Sequence, residues 1–263
     1  MVRMRKPALI VLVAISMTAL LATVFSVATR PSGDTPVSTM EYPAVAPHRG
    51  GLALHPENTM EAFKATAEQY PDMALEMDVQ RLADGALVVF HDATVKRVAA
   101  GGETKPVDQF TTAEWRKLRI KHPQGGPSAP AAFLSDVFDE FAGTGTVLMI
   151  ECKGADMRDD FIEAVWPHRD QVIAVPKGYG SPDAPTFIKS GLNTQLPVKD
   201  ETTPIIDGLN SVVVGASAVT KTMTDDAHSK GAKVWVWGDN LTINDPELLD
   251  KGVDGFIPDN PDQ

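Results

Sequence analysis

From residue 44 onward, short apolar runs alternate with stretches of helical periodicity. Successive side chains of a strand face opposite ways. Over residues 74–80 this puts Leu75, Met77 and Val79 on one side and Glu76, Asp78 and Gln80 on the other. With the polar side in water, the stretch is a half-buried strand with a wet face. With that side buried, two adjacent ionised carboxylates require a cation.

The remaining pattern predicts a series of such units. A strand over 44–47 runs into the turn His48-Arg49-Gly50-Gly51. Pro56-Glu57-Asn58-Thr59 then opens a helix capped by Asn58 or Thr59, with Met60, Phe63 and Ala67 at helical spacing. The turn Ala83-Asp84-Gly85 separates the 74–80 strand from a third strand over 86–90, which ends at His91-Asp92. Short helices follow over 112–118 and 134–141, then a strand over 145–152 in which Val147, Met149, Glu151 and Lys153 share a face. A helix over 161–166 and a strand over 171–175 come next. The stretch 177–210, dense in Pro, Gly and Asp, reads as long loops with room for one helix. Strands over 212–214, 233–237 and 255–257 alternate with helices over 224–230 and 246–251. Eight strands, most followed by a helix and with no internal repeat, predict a TIM-type (β/α)8 barrel over 43–263. An open doubly wound sheet lacks its Gly-rich loop after the first strand.

At 263 residues and 43% hydrophobic content, the chain can fill one such domain. Its first thirty residues differ from the rest. Arg3, Arg5 and Lys6 precede an uncharged, mostly apolar run over 7–28, which reads as a signal peptide or a membrane anchor. Ser26-Val27-Ala28 suits signal peptidase, yet the run also reaches the roughly 20 residues that span a bilayer. No cysteine follows it, which excludes a lipoprotein anchor. Residues 31–42, rich in Pro, Ser, Thr and Gly, read as a flexible linker. The body is therefore expected outside the cytoplasm, secreted or anchored at the envelope, and in contact with the membrane if the segment stays attached.

Formal net charge is -11; residues 1–30 carry four positive charges and no acid, so the body holds 20 basic against 35 acidic residues. That balance argues against nucleic acid as a partner, and substrate phosphate would have to be attracted locally, by a metal or a few placed cations. The single cysteine, Cys152, excludes an intramolecular disulfide and reads as a buried apolar residue.

In a parallel barrel, functional residues sit where strands end and βα loops begin. His48 and Arg49, Glu76 and Asp78, His91, and Glu151 and Lys153 all fall there. Three carboxylates suit a hard ion such as Mg2+ or Ca2+ better than zinc, which leaves the histidines free for proton transfer. Arg49 and Lys153 can neutralise anionic oxygens. A metal, two acid/base groups and two cations fit displacement at phosphorus. Against this, Asp84 and Asp92 read as turn residues and Glu57 as an acid at a helix start. His55, His122, His168 and His228 fall in loops or on helix surfaces and receive no role.

These residues resemble the glycerophosphodiester phosphodiesterase family, in the order His48-Arg49-Gly50, Pro56-Glu57-Asn58-Thr59, Glu76-Met77-Asp78-Val79, Asp84-Gly85, His91-Asp92 and Glu151-Cys152-Lys153. The strand ending at Trp237 and the run Gly252-Val253-Asp254-Gly255-Phe256-Ile257 extend the likeness. The resemblance implies hydrolysis of glycerophosphodiesters to an alcohol and glycerol 3-phosphate. Glu76, Asp78 and Glu151 would hold one divalent cation, His48 and His91 would exchange protons, and Arg49, Lys153 and Trp237 would bind substrate. Gly238-Asp239-Asn240 and Pro258-Asp259 replace the usual Thr-Val-Asn and Thr-Asp, and 177–210 departs from the family's middle. The chain also stops where relatives continue into a closing helix, so another segment or an interface is expected beside the first and last strands. The alternatives are a sphingomyelinase D-like or phospholipase-type phosphodiesterase acting on lipid head groups, and a catalytically degenerate envelope binding protein.

Overall fold

The computed structural model describes residues 33–263, so the segment 1–30 expected to direct export lies outside the described residues. Strands β1 (Ala44–Val45), β2 (Leu75–Arg81), β3 (Leu87–Val89), β4 (Arg119–Ile120), β5 (Ala129–Pro130), β6 (Leu148–Cys152), β7 (Val172–Val175), β8 (Asn193–Pro197), β9 (Ser211–Gly215), β10 (Lys233–Gly238) and β11 (Gly255–Pro258) alternate with helices. The helices are α1 (Met60–Gln69), α2 (Thr112–Trp115), α3 (Leu134–Phe141), α4 (Arg158–Val165), α5 (Ala184–Lys189), α6 (Lys221–Ser229) and α7 (Pro246–Asp250).

One sheet runs in the order β1-β11-β10-β9-β8-β7-β6-β2-β3, and all its pairs are parallel except β2 with β3. The Ala74 N–H donates to the Val45 carbonyl at 2.8 Å and joins β2 to β1. The parallel strands thus close into the expected barrel. Its membership differs from the expectation by one strand. β3 is the antiparallel partner of β2, because the short turn over 83–85 permits a hairpin but not a parallel crossover. The missing parallel strand is β8, inside the stretch read as loops, and α5 precedes it.

Side-chain alternation divides the barrel as the sequence indicates. Leu75, Met77, Val79, Leu148 and Ile150 pack outward against Phe63, Val137 and Phe161 of the helical layer. Full burial of an aliphatic side chain such as Leu75 contributes about 2 kcal/mol. Ala74, Val147, Met149, Ile173, Val213, Trp235 and Ile257 fill the interior. Trp235 fits there because its neighbour is Gly255: a Cβ at that position would meet the indole at 2.4 Å. Within the stretch expected to be a linker, Val37 is buried and Met40 and Tyr42 pack against the same cluster, so residues 37–42 close the amino end of the barrel.

Residues 82–133 form an excursion between β2 and α3 with its own core, including Val88, Phe90, Val95, Val107, Phe110 and Trp115. Among the described residues no helix follows β11. The tail instead folds back: Ala53 N–H donates to the Asp259 carbonyl at 3.0 Å, and the Tyr70 hydroxyl donates to Asp262. No helix among the described residues is long and apolar enough to cross a membrane.

Candidate functional site

The site begins with the turn after β1. Arg49, Gly50 and Gly51 all have positive φ (53°, 79° and 86°), the left-handed region that a residue such as arginine rarely adopts. A Cβ on Gly50 would also lie 2.9 Å from the Phe63 ring. The resulting curl aims the Arg49 N–H at Glu76 Oε2, 2.6 Å away. Beside it Asn58, also left-handed at φ 56°, donates its side-chain amide to Asp78 Oδ2 at 2.9 Å and accepts from the Asp78 N–H at 3.3 Å. Thr59, not Asn58, caps α1, accepting the Ala62 N–H at 3.2 Å.

Register does the rest. Asp78 stands opposite Glu151 on β6, and Glu76 lies one inward position below Asp78. Asp78 is 1% exposed and Glu76 6%, so the polar side of this strand is buried, not wet. Lys153 reaches both neighbours, with Nζ 3.2 Å from Asp78 Oδ1 and 3.0 Å from Glu151 Oε1. Arg49 pairs with Glu57 at 3.0 Å, while its buried Nε has no hydrogen-bond partner and stands 3.4 Å from Asp78 Oδ2.

Burial and then the charge of Asp78 raise the Glu76 carboxyl well above the usual carboxylate range. Burial also raises Glu151, against the pull of Lys153. Burial opposes the charge on Asp78 as well, but Lys153 and Arg49 outweigh it and hold Asp78 low. The expected ligand set is therefore adjacent without being assembled. Among the described residues no group of three His, Cys, Asp or Glu side chains is placed to hold a metal ion, and the Lys153 ammonium stands between two of the three carboxylates. The donors nevertheless suit a hard cation: they are oxygen only, and burial without one disfavours the charged form of Glu76 and Glu151.

Both histidines lie at this end of the barrel, each bound through Nδ1 to a carboxylate. His48 meets Asp259 Oδ1 at 2.7 Å and His91 meets Asp92 Oδ1 at 2.7 Å. Burial lowers the proton affinity of His48, but the hydrogen bond it donates to Asp259 and the charge of Glu76 more than reverse it, and its pKa is raised. Burial, helped by the Lys153 and Arg49 charges and opposed by Asp78, lowers that of His91. His91 is carried by the loop after β3 rather than by a barrel strand. That loop is fixed by the Gln80 amide, which donates to the carbonyls of Phe90, His91 and Asp92 at 3.2, 3.0 and 2.6 Å. Trp237 is the penultimate residue of β10, two beyond Trp235, and is 39% exposed, at the same end of the barrel. A cavity of about 800 Å³ begins at Lys153 and is bounded by Gln80, Arg81, Thr94, Asp108 and Lys177.

Sequence reasoning missed four partners. Glu57 and Asp92, read as a helix-start acid and a turn residue, hold Arg49 and His91; Asn58 holds Asp78; Asp259 holds His48. The available signal was the adjacency of Glu57-Asn58 and of Asp92 to site residues, and the survival of Asp259 within a pair that otherwise departs from the family pattern. Cys152 faces away from the site, 2% exposed, with its thiol pushed up to about 12 by burial.

The family model for "Glycerophosphoryl diester phosphodiesterase family" matches residues 48–180. A glycerophosphodiester phosphodiesterase of Caldanaerobacter subterraneus subsp. tengcongensis is 27% identical over 235 residues, covering 83% of this chain and 94% of that protein. The crystal structure of a glycerophosphodiester phosphodiesterase from Agrobacterium tumefaciens superposes with a TM-score of 0.68 at 20% identity, over 83% of this chain and 97% of that one. An Oleispira antarctica phosphodiesterase, solved in complex with the product sn-glycerol-3-phosphate, gives 0.67 at 20% identity, over 84% and 94%. These two structures share the fold, the family match spans every predicted catalytic and metal-binding position from His48 to Lys153, and the chain belongs to the glycerophosphoryl diester phosphodiesterase family.

Proposed function

We propose that this chain hydrolyses glycerophosphodiesters to an alcohol and glycerol 3-phosphate, with His48 and His91 as its proton carriers and Glu76, Asp78 and Glu151 as the ligands of one divalent cation, Mg2+ or Ca2+. The observation that carries this reading is the placement of three buried or half-buried carboxylates on adjoining strands, flanked by two histidines that each lean on an aspartate.

Each imidazole donates its Nδ1–H to a carboxylate, which leaves Nε2 for the substrate. The proton affinity of His48 is moved up and that of His91 down, the divergence that separates an acid from a base. One ring takes the proton of the attacking hydroxyl, from water or the glycerol 2-hydroxyl, and the other gives a proton to the departing alkoxide. Arg49, with its unsatisfied Nε, and Lys153 bind the phosphate oxygens. A bound divalent cation contributes Lewis-acid neutralisation of charge on those oxygens. Trp237 offers an apolar ring to the glycerol, and the cavity beside Lys153 has room for the alcohol.

The activity takes place outside the cytoplasm on this reading, supported by the basic and then apolar segment 1–30. Fusion of that segment to a reporter active only after export tests the placement, and activity retained in the cytoplasm would refute it. For the substrate, release of glycerol 3-phosphate from glycerophosphocholine is the expected result. Cleavage confined to lysophospholipids would move the protein to the phospholipase-type class.

A further inference from the structure

We propose that Arg97 is a positioning residue of this site: a single guanidinium holds, through two carboxylates, both the imidazole of His91 and the side chain of Arg49. The inference rests on the assignment of His91 and Arg49 to the reaction. Arg97 ends the short 3-10 turn Val95–Arg97 of the excursion over 82–133, whose core is separate from that of the barrel.

Its two faces are used differently. Nη1 lies 2.5 Å from Glu57 Oε2 and Nη2 2.7 Å from Glu57 Oε1, a fork onto one carboxylate. Nε lies 2.7 Å from Asp92 Oδ2 and Nη2 3.2 Å from Asp92 Oδ1, a fork onto the other. Each carboxylate then touches one site residue through an oxygen it shares with Arg97: Glu57 Oε1 accepts Arg49 Nη1 at 3.0 Å, and Asp92 Oδ1 accepts His91 Nδ1 at 2.7 Å. The guanidinium thereby ties the excursion to the turn that opens α1, across 40 residues of sequence.

The Arg97 side chain is 47% exposed, and exposed ion pairs contribute little to stability. Its effect therefore falls on orientation. Gln80 already fixes the backbone of 90–92, so Arg97 governs what Gln80 does not: the direction of the Asp92 carboxylate and with it the ring nitrogen that carries the proton. A planar fork can satisfy two carboxylates at once, which a lysine ammonium cannot reproduce.

The test is 15N imidazole NMR of the full chain as wild type, Arg97→Ala and Arg97→Lys, with steady-state kinetics on glycerophosphocholine alongside. In the wild type, neutral His91 is expected to carry its proton on Nδ1. In Arg97→Ala that preference is lost, kcat falls about 100-fold with the melting temperature nearly unchanged, and added guanidinium recovers part of the loss. Arg97→Lys recovers less than a tenth of the wild-type rate. An unchanged His91 tautomer in Arg97→Ala overturns the proposal whether or not this substrate is turned over. So does a kcat within about threefold of wild type, or full activity in Arg97→Lys. A wild type inactive on every glycerophosphodiester refutes the function while the NMR still decides the role of Arg97.

Discussion

His48 and Asp259 stand 211 residues apart in sequence and 2.7 Å apart in space, Nδ1 to Oδ1, so the loops that leave the first and last strands of the barrel meet in one histidine–aspartate pair. β1 and β11 are neighbours, paired Ala44 with Gly255 and Val45 with Phe256, and the residues just beyond their carboxyl ends are brought together by that pairing.

Asp259→Asn keeps the shape of this pair and removes its charge. Because Asp259 raises the proton affinity of His48, the variant should titrate His48 at lower pH by NMR. It should also lose about 100-fold in kcat, with little change in melting temperature. A His48 titration identical to wild type would show that the aspartate does not govern the ring.

Glu76 makes a prediction about stability. Its folded pKa is pushed up to about 7 by burial and the charge of Asp78, above its ordinary unfolded value. The folded state then binds more protons than the unfolded state between those two values, so the stabilisation present at low pH is lost as pH rises through neutrality. Glu76→Gln cannot titrate. In chelator at pH 8 the variant should melt above wild type, by on the order of 2–4 °C, and the gap should close by pH 5. A wild type that melts higher at pH 8 in chelator contradicts the burial argument.

Lys153 holds oxygens of both Asp78 and Glu151, the same oxygens that a divalent cation would take on the proposed ligand set. Lys153→Met should therefore tighten Mg2+ or Ca2+ binding by at least about tenfold in calorimetry, while turnover falls for want of a phosphate contact. Unchanged or weaker ion binding would mean that ammonium and ion do not share a position.

Particular strands show how much of this was legible in sequence. β2 could be read as a strand with two distinct faces, because apolar and acidic residues alternate along it and the turn after it is short, but that its acidic face is buried came only from the fold. β8 could not: its first three residues, Asn193, Thr194 and Gln195, are polar yet buried. Asn193 donates to the carbonyls of Arg169 and Val172, and Gln195 to Ser211, so hydrogen bonds replace the apolar signature that marks a barrel strand. β3 carries that signature in Leu87, Val88 and Val89 without being a parallel strand, since the turn before it fixes a hairpin. Among the site residues, the carboxylates and histidines announced themselves by type and position at strand ends. Their partners did not, because Asp259, Glu57 and Asp92 acquire meaning only from contacts that folding creates.

On the proposed function, the buried carboxylates and the two histidines form one cation-assisted phosphodiesterase site. Its most direct measurement is glycerol 3-phosphate release from a glycerophosphodiester by wild type, His48→Ala and Glu76→Gln, each in chelator and with added Mg2+ or Ca2+. Wild-type turnover is expected only with the cation, and both variants should lose at least about 100-fold. Turnover that ignores the chelator, or that survives either substitution, would contradict it.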